Sequence, residues 1–544
     1  MVFVISLYFS SFTRNKTAAV VQTTEKLLNI IQQTTSSANH SANHLAKQMR
    51  NHATGYLDCT GYIIGFVLVL LPIFALFNNH ASASELSEPA SNTSQSTNSA
   101  SNDSESIERD DSKIAELSLQ MFVEQGPAKA VAAHELASFE DKSLIPTFVL
   151  AMRWSGSNIH VAEALSNLAG ETIRDWHEAY EWQERHPEIV PHSTYRDIKL
   201  RFLGNTDNQF REFFAEPHGR PENMLIRLEE VVWGGVQFDG IPSLDDAQTV
   251  PAADADFMLD ADLVFGVEIN GDARAYPLRI LGWHEMANDV IGGVPVALAY
   301  CTLCGSGILY ETLLEGADEP LIFGSSGLLY RSNKLMFDRE SLSLWNQFTG
   351  EPVVGPLVGS GINLKVRPIT ITSWDDWRNQ HPQTKVLSLE TGYHRNYASG
   401  FVYHDYFSSP ELMFPAVTKD ESQVLRKDYV FGIRSVAASK AWPLSAFKSE
   451  SIINDTVGAM SLVLIGDENT RTVRAYERLA DEQFSLSSAD EIQKLSTAEQ
   501  EWEINESFLV SADGLQKRAR LPGHISYWFA WENFMGLNSE LYEP

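Results

Sequence analysis

The chain has 544 residues, room for three to four domains at about 150 residues each. It carries 71 Asp and Glu against 41 Lys and Arg, a net charge of −30, so nucleic-acid phosphates and anionic lipid faces would repel it and no nucleic-acid partner is expected. Three cysteines exclude a disulfide-stapled scaffold, and 44% apolar with 21% charged residues is the composition of a chain that buries a core.

Residues 1–83 read as a leader. Tyr62 to Phe77, YIIGFVLVLLPIFALF, carries no charge, follows Lys47, Arg50 and His52, and precedes the A-x-A-like site Ala81-Ser82-Ala83. The run is shorter than the roughly 20 residues that span a bilayer, as in a signal peptide; an uncleaved membrane anchor is the alternative. The Ser/Thr/Asn/Gln-rich stretch before Met49 fits no n-region, so translation is expected to start at Met49. An exported protein is expected, periplasmic or at the cell surface, touching membrane only through this segment. Cys59 precedes the apolar run and is an incidental leader residue. Residues 84–111 are rich in Ser, Asn and acidic side chains without an apolar period, and read as a disordered tether.

From 112 to 228 apolar residues recur at i, i+3, i+4, which predicts a helical domain of short helices punctuated by Gly126, Gly156 and Gly204. Trp176, Tyr180 and Trp182 read as core at helical spacing. His177 and Glu181 share a helix face but read as a solvated pair.

Beyond Val231 short β-branched runs alternate with Gly and Pro, giving an α+β chain. Two stretches match without a gap at an offset of 166 residues: VFGVEINGDARAYPLRILGWHEMANDVIGGVPVALAY from Val264, and VFGIRSVAASKAWPLSAFKSESIINDTVGAMSLVLIG from Val430. This predicts a duplicated, mainly-β region: unit 1 at 229–427, a degenerate unit 2 at 428–544, two pseudo-symmetric barrels or sandwiches. WNQFTG at Trp345 is echoed by WENFMG at Trp531. Features that both stretches keep, Asn288-Asp289 and Asn454-Asp455 among them, read as structural. Four reactive residues occur only in the first: His284, Glu285, Cys301 and Cys304 face Glu450, Ser451, Asp467 and Thr470.

Cys301-Thr-Leu-Cys304 follows an apolar run, which places two thiols at the end of a strand, on a turn opened by Gly305. The spacing lets both sulfurs meet one ion, or each other. Three readings follow. In the first, Cys301, Cys304 and His284, with Glu285 as ligand or support, hold zinc or copper, with enzymatic use of an open metal position. In the second, Cys301 and Cys304 cycle as a thiol–disulfide redox pair. In the third, the chain is a non-catalytic extracellular binding module. Glu285, Arg331 and Asp338 are candidate catalytic groups. Ser326, Asn333, Arg339, Trp345 and Gln347 are candidates for a polar wall, and His394, Arg395 and His404 are outside candidates for a ligand.

The segments WGGVQFDGIPSL, ARAYPLRILGWHEMANDVIGG, YCTLCGSG, SSGLLYRSNKLMFDRESLSLWNQFTG and TGYHRNY resemble the bacterial domain of unknown function 3179 family, over roughly Leu228 to Gly466 and on toward the C-terminus. The family pattern is similar to Ala275–Leu278, His284–Asp289 and Tyr300–Gly305 here, with Thr302 where a proline is usual. The resemblance implies an exported protein and brings no established activity.

Overall fold

The structure is a computed structural model that describes residues 100–543 apart from 157, 420, 436, 488–493 and 537–538. The expected leader, its cleavage or anchoring, the start at Met49, Cys59 and residues 84–99 of the tether lie outside the described residues. Among the described residues no helix is long and apolar enough to cross a membrane.

Helices occupy the N-terminal part: Ala100–Val123, Gly126–Ala137, Ile145–Ser155, Ile159–Ala169, Trp176–Arg185, Tyr195–Thr206 and Asn208–Phe214. The first begins inside the stretch that composition reads as tether. Ile114, Leu117 and Met121 bury one face of it, and once a helix is nucleated, adding turns at its end needs no new nucleus. Asn158, Asp175 and Asp207 cap their helices by accepting first-turn N–H groups. Pro127 and Pro146 open two others, where the missing N–H costs nothing. Trp176, Tyr180 and Trp182 are buried. The helices rest on the β region through Trp154, stacked on Trp233 at 5.7 Å, and Lys199, whose Nζ donates to the Val231 carbonyl at 2.6 Å.

The remainder is mainly β, so the chain is α+β. Strands Thr370–Ser373, Leu263–Ile269, Asp272–Pro277 and Lys385–Leu387 lie in that order, paired antiparallel, antiparallel and parallel. Strands Gly523–Tyr527, Tyr429–Arg434, Ser439–Pro443 and Ser539–Leu541 pair in the same sequence of senses. Val264 opposes Pro277, and Val430 opposes Pro443. Gly266 and Gly432 each lie under an indole: a Cβ would sit 2.2 Å from Trp377 or 1.9 Å from Trp531. Trp531 lies in helix Trp528–Met535, as Trp377 lies in helix Trp374–Gln380, whereas Trp345 is on strand Leu344–Asn346.

No sheet closes into a barrel among the described residues; the sheets are open, with three to five strands. Closure needs the first and last strands to pair. Here the chain crosses one face in helix Trp374–Gln380 or Trp528–Met535, and its last strand then adds in parallel at the far side.

Asn288 and Asn454 do the same work. Each side-chain amide exchanges two hydrogen bonds with a distant backbone, Asn288 with Phe323 at 2.9 and 3.0 Å, Asn454 with Phe484 at 2.8 and 2.9 Å. Asp289 and Asp455 accept from Tyr276 and Trp442. These Asx residues lie on strands and bond across space, Asp289 and Asp455 also accepting from the next residue's N–H.

His524, 5% exposed, packs edge-on against Phe348. Burial pushes its pKa down to about 3, with the Arg434 charge adding to the effect. The folded imidazole is neutral, so below pH 6.5 the unfolded chain binds the extra proton. Stability is complete above 6.5 and falls by about 1.4 kcal/mol per pH unit below it. Denaturant unfolding between pH 7 and 5 checks this: His524→Phe should flatten the curve, and an unchanged slope would refute the assignment.

Candidate functional site

The apolar strand Val294–Cys301 pairs with Ser306–Glu311, and the turn between them carries Cys304. Gly305 has φ +59°, and a Cβ there would meet Tyr429 at 2.8 Å, so the tight turn requires glycine. The two thiols are free and buried, with their Sγ atoms 3.0 Å apart, within hydrogen-bond distance.

A second hairpin supplies their polar surroundings. Phe323–Tyr330 and Asn333–Asp338 are joined by Arg331-Ser332, both at positive φ (50° and 57°). A two-residue turn with both φ positive usually takes Asn-Gly, and left-handed backbone costs other residues about 1–2 kcal/mol each. The strained turn brings the Ser332 carbonyl to 3.4 Å and the Asn333 amide to 3.2 Å from Cys304 Sγ. Gln347 fixes that amide: its Nε2 donates to the Ala299 carbonyl, so its Oε1 accepts from Asn333 at 2.9 Å. The next residue, Lys334, is 3% exposed. Its Nζ donates to the Glu285 carbonyl at 2.8 Å and lies 3.7 Å from the Glu285 carboxylate.

Glu285 is itself left-handed (φ 57°), as the C-cap of helix Leu278–His284. Its carboxylate accepts from Thr302 at 3.2 Å and Tyr403 at 3.5 Å. Tyr406, in helix His404–Ser408, closes the site by donating to the Leu303 carbonyl at 2.6 Å. Strained backbone thus gathers at Glu285, Arg331 and Ser332, around one pair of sulfurs, as is common at functional sites.

The two thiols differ. Burial raises the pKa of both. At Cys301 burial and the Glu285 charge are outweighed by the hydrogen bond with Cys304, helped by the Lys334 backbone N–H and ammonium, so Cys301 is lowered from the ordinary thiol value. Cys304 is pushed well above that value by burial and by the Cys301 sulfur. Burial also lowers Lys334, against the pull of Glu285 and Cys301.

His284 does not join them. Its Nδ1 donates to the Pro242 carbonyl at 2.8 Å, and its Nε2 then accepts from Tyr397 OH at 2.6 Å. Burial lowers its pKa, which matches a neutral ring. Among the described residues, the ligand atoms of His284, Glu285, Cys301 and Cys304 form no group of three within 4.8 Å. Tyr397 OH is also 2.7 Å from Thr391, so the TGYHRNY segment serves to close over His284, while His394 and His404 are exposed.

Of the other candidates, only Asn333 reaches the sulfurs, with Gln347 bonded behind it. Arg331 pairs with Glu230 at 3.3 Å. Asp338 is saturated by the Ser341 amide and hydroxyl and by Trp345 Nε1. Ser326 bonds the Leu335 carbonyl, and Arg339 pairs with Asp239.

These sulfurs, their two hairpins and the helix before Glu285 all lie within one matched segment. The chain belongs to the DUF3179 family, a protein family of unknown function whose model matches residues 238–537. The helices before that point stand outside the DUF3179 match. No curated protein and no solved structure matches the chain. Within the DUF3179 segment, Lys334, Thr302, Tyr403 and Tyr406 are site residues that sequence reasoning missed. A lysine in a polar loop motif carries no sign of its own burial.

Proposed function

We propose that Cys301 and Cys304 form a redox-active dithiol, with Cys301 as the attacking sulfur, in an exported protein. The observation that carries this reading is Lys334, a buried ammonium beside Glu285 and a pair of sulfurs 3.0 Å apart. Together with the Cys304 hydrogen bond it favours the thiolate at Cys301 against burial and the Glu285 charge, and burial beside Cys301 leaves Cys304 protonated as the resolving thiol. The Cys301 thiolate attacks one sulfur of a small disulfide, forming a mixed disulfide and expelling one thiolate. Cys304 then gives up its proton and attacks Cys301, expelling the second. Two electrons pass to the small disulfide, which leaves as two thiols. Incubation with oxidised glutathione should remove both thiols and lower the intact mass by two hydrogens. Thiols that stay reduced at every glutathione ratio would overturn the proposal.

Zinc or copper at the same sulfurs is the second reading, favoured by the Cys-x₂-Cys turn itself. The residues fit it less well. Tetrahedral Zn–S bonds of about 2.3 Å set sulfurs about 3.7 Å apart, His284 has both nitrogens engaged, and a buried ammonium opposes a cation. Zinc that co-purifies and is lost in Cys301→Ser would favour the metal over the dithiol.

We also infer that 263–387 and 429–541 are two copies of one unit, of which the second has lost the reactive groups. What supports this is the like order and sense of their strands, and the like bonds of Asn288 and Asn454.

A further inference from the structure

We propose that His134, His160 and Glu163 form a second, independent site, for a divalent cation of the zinc type, on the outer face of the helical layer. Their ligand atoms lie within 4.8 Å of one another, and among the described residues theirs is the one group of three His, Cys, Asp or Glu side chains that does so.

The helices make this convergence. Gly126–Ala137 and Ile159–Ala169 pack side by side, with Ala132, Ala133 and Leu136 buried on the first and Val161, Ala164 and Leu165 on the second. Alanines at the contact bring two helix axes close. His134 follows directly on the buried Ala133, in the last turn of its helix, and is exposed. His160 and Glu163 are i, i+3 neighbours on the facing helix and share a face. The Asn158 cap, accepting from the His160 N–H at 3.0 Å, fixes the turn that presents them.

The distances suit a tetrahedral ion. His160 Nδ1 lies 3.4 Å from Glu163 Oε2. Ligands bonded at about 2.0–2.1 Å to one tetrahedral centre are about 3.3–3.4 Å apart, so this edge is already formed. The His134 and His160 rings are 6.4 Å apart and inclined at 64°, edge toward face rather than stacked. His160 and Glu163 are about half exposed (48% and 55%), so small rotations of exposed side chains close the remaining edges. No hydrogen bond or ion pair among the described residues engages the His134 ring nitrogens, whereas His284 has both of its own engaged.

Donor chemistry selects the cation. Two imidazoles and one carboxylate suit Zn²⁺ and similar borderline ions; Mg²⁺ and Ca²⁺ prefer oxygen throughout. His134 and Glu163 border a concavity also lined by Ser166, Asn167 and Arg174, which leaves room for water or a small anion to complete the shell. The chain's charge of −30 draws cations toward it. The site lies outside the matched residues 238–537, so it belongs to this chain's helical layer and not to the family segment.

Dialysis of the full chain against Zn²⁺ alone, followed by metal analysis, tests it. Wild type should retain one more zinc per chain than His134→Ala or His160→Ala, and Glu163→Gln should weaken retention. All three positions are exposed, so circular dichroism should show the fold intact. Cys301→Ser should leave this equivalent in place, which separates it from any thiol-bound metal. Zinc should also raise the Tm of wild type and not that of His134→Ala/His160→Ala. Equal zinc in wild type and the double variant would overturn the site. Full retention in His134→Ala with loss in His160→Ala would reduce it to a two-residue pair and overturn it equally.

Discussion

Glu506→Ala is expected to destabilise the protein by about 3–5 kcal/mol, the usual cost of removing one partner from a buried ionic cluster. Glu506 is 6% exposed and lies between two buried arginines. Arg474 Nε donates to it at 2.8 Å, Arg520 Nη1 binds its other oxygen, and Thr370 donates at 2.9 Å. Alanine would leave two guanidinium groups buried without their counter-charge. Burial raises the Glu506 pKa, but Arg474 and Arg520 more than reverse it and hold the carboxyl well below the usual range. A depressed carboxyl contributes stability that is present above the unfolded value near 4.5 and is lost as pH falls toward the folded one. Wild type should therefore lose stability below about pH 4.5, and the variant should lose much less there. A loss under about 1 kcal/mol in urea at pH 7 would show that the arginines find other partners. The cluster ties Thr370, on the strand paired with Leu263–Ile269, to Arg474 and Arg520. A second link between these parts of the chain is the Tyr527 N–H, which bonds the Cys304 carbonyl at 2.7 Å.

The position of the sulfurs was legible in the sequence; their company was only half so. An apolar run ending in Cys301 and a glycine after Cys304 have one local solution, a buried strand and a tight turn. The matched stretches pointed to Asn288 as structural because its counterpart Asn454 survives without any reactive neighbour. His284 misled because adjacent helix positions project about 100° apart. At the end of Leu278–His284 the left-handed Glu285 turns toward Lys334, and His284 turns toward Pro242 and Tyr397. Spacing along the chain carries no information about that divergence. Lys334 could not be found from sequence, since its burial follows from a strained hairpin folding over a turn thirty residues earlier. The tether boundary failed for a related reason: composition describes solvation, while helix Ala100–Val123 is packed down by apolar residues farther on, Ile114, Leu117 and Met121.

Lys334→Met should change both stability and thiol chemistry, and the two effects can be separated. Methionine fills the buried space but removes the cation beside Glu285 and Cys301. Leaving the Glu285 carboxylate buried and unpaired should cost about 3–5 kcal/mol. Adding Glu285→Gln removes the stranded charge and should recover most of that loss. It also removes a charge that raises the Cys301 thiol, so that thiol should titrate higher than in wild type in the single variant and fall back in the double. Thiolate ultraviolet absorbance followed against pH reads that change directly, and the rate of oxidation by glutathione disulfide should fall with it at neutral pH. With a purely structural lysine, stability would be lost and regained while the thiol titration never moves. That result would remove Lys334 from the dithiol chemistry and, with it, the asymmetry that makes Cys301 the attacking sulfur.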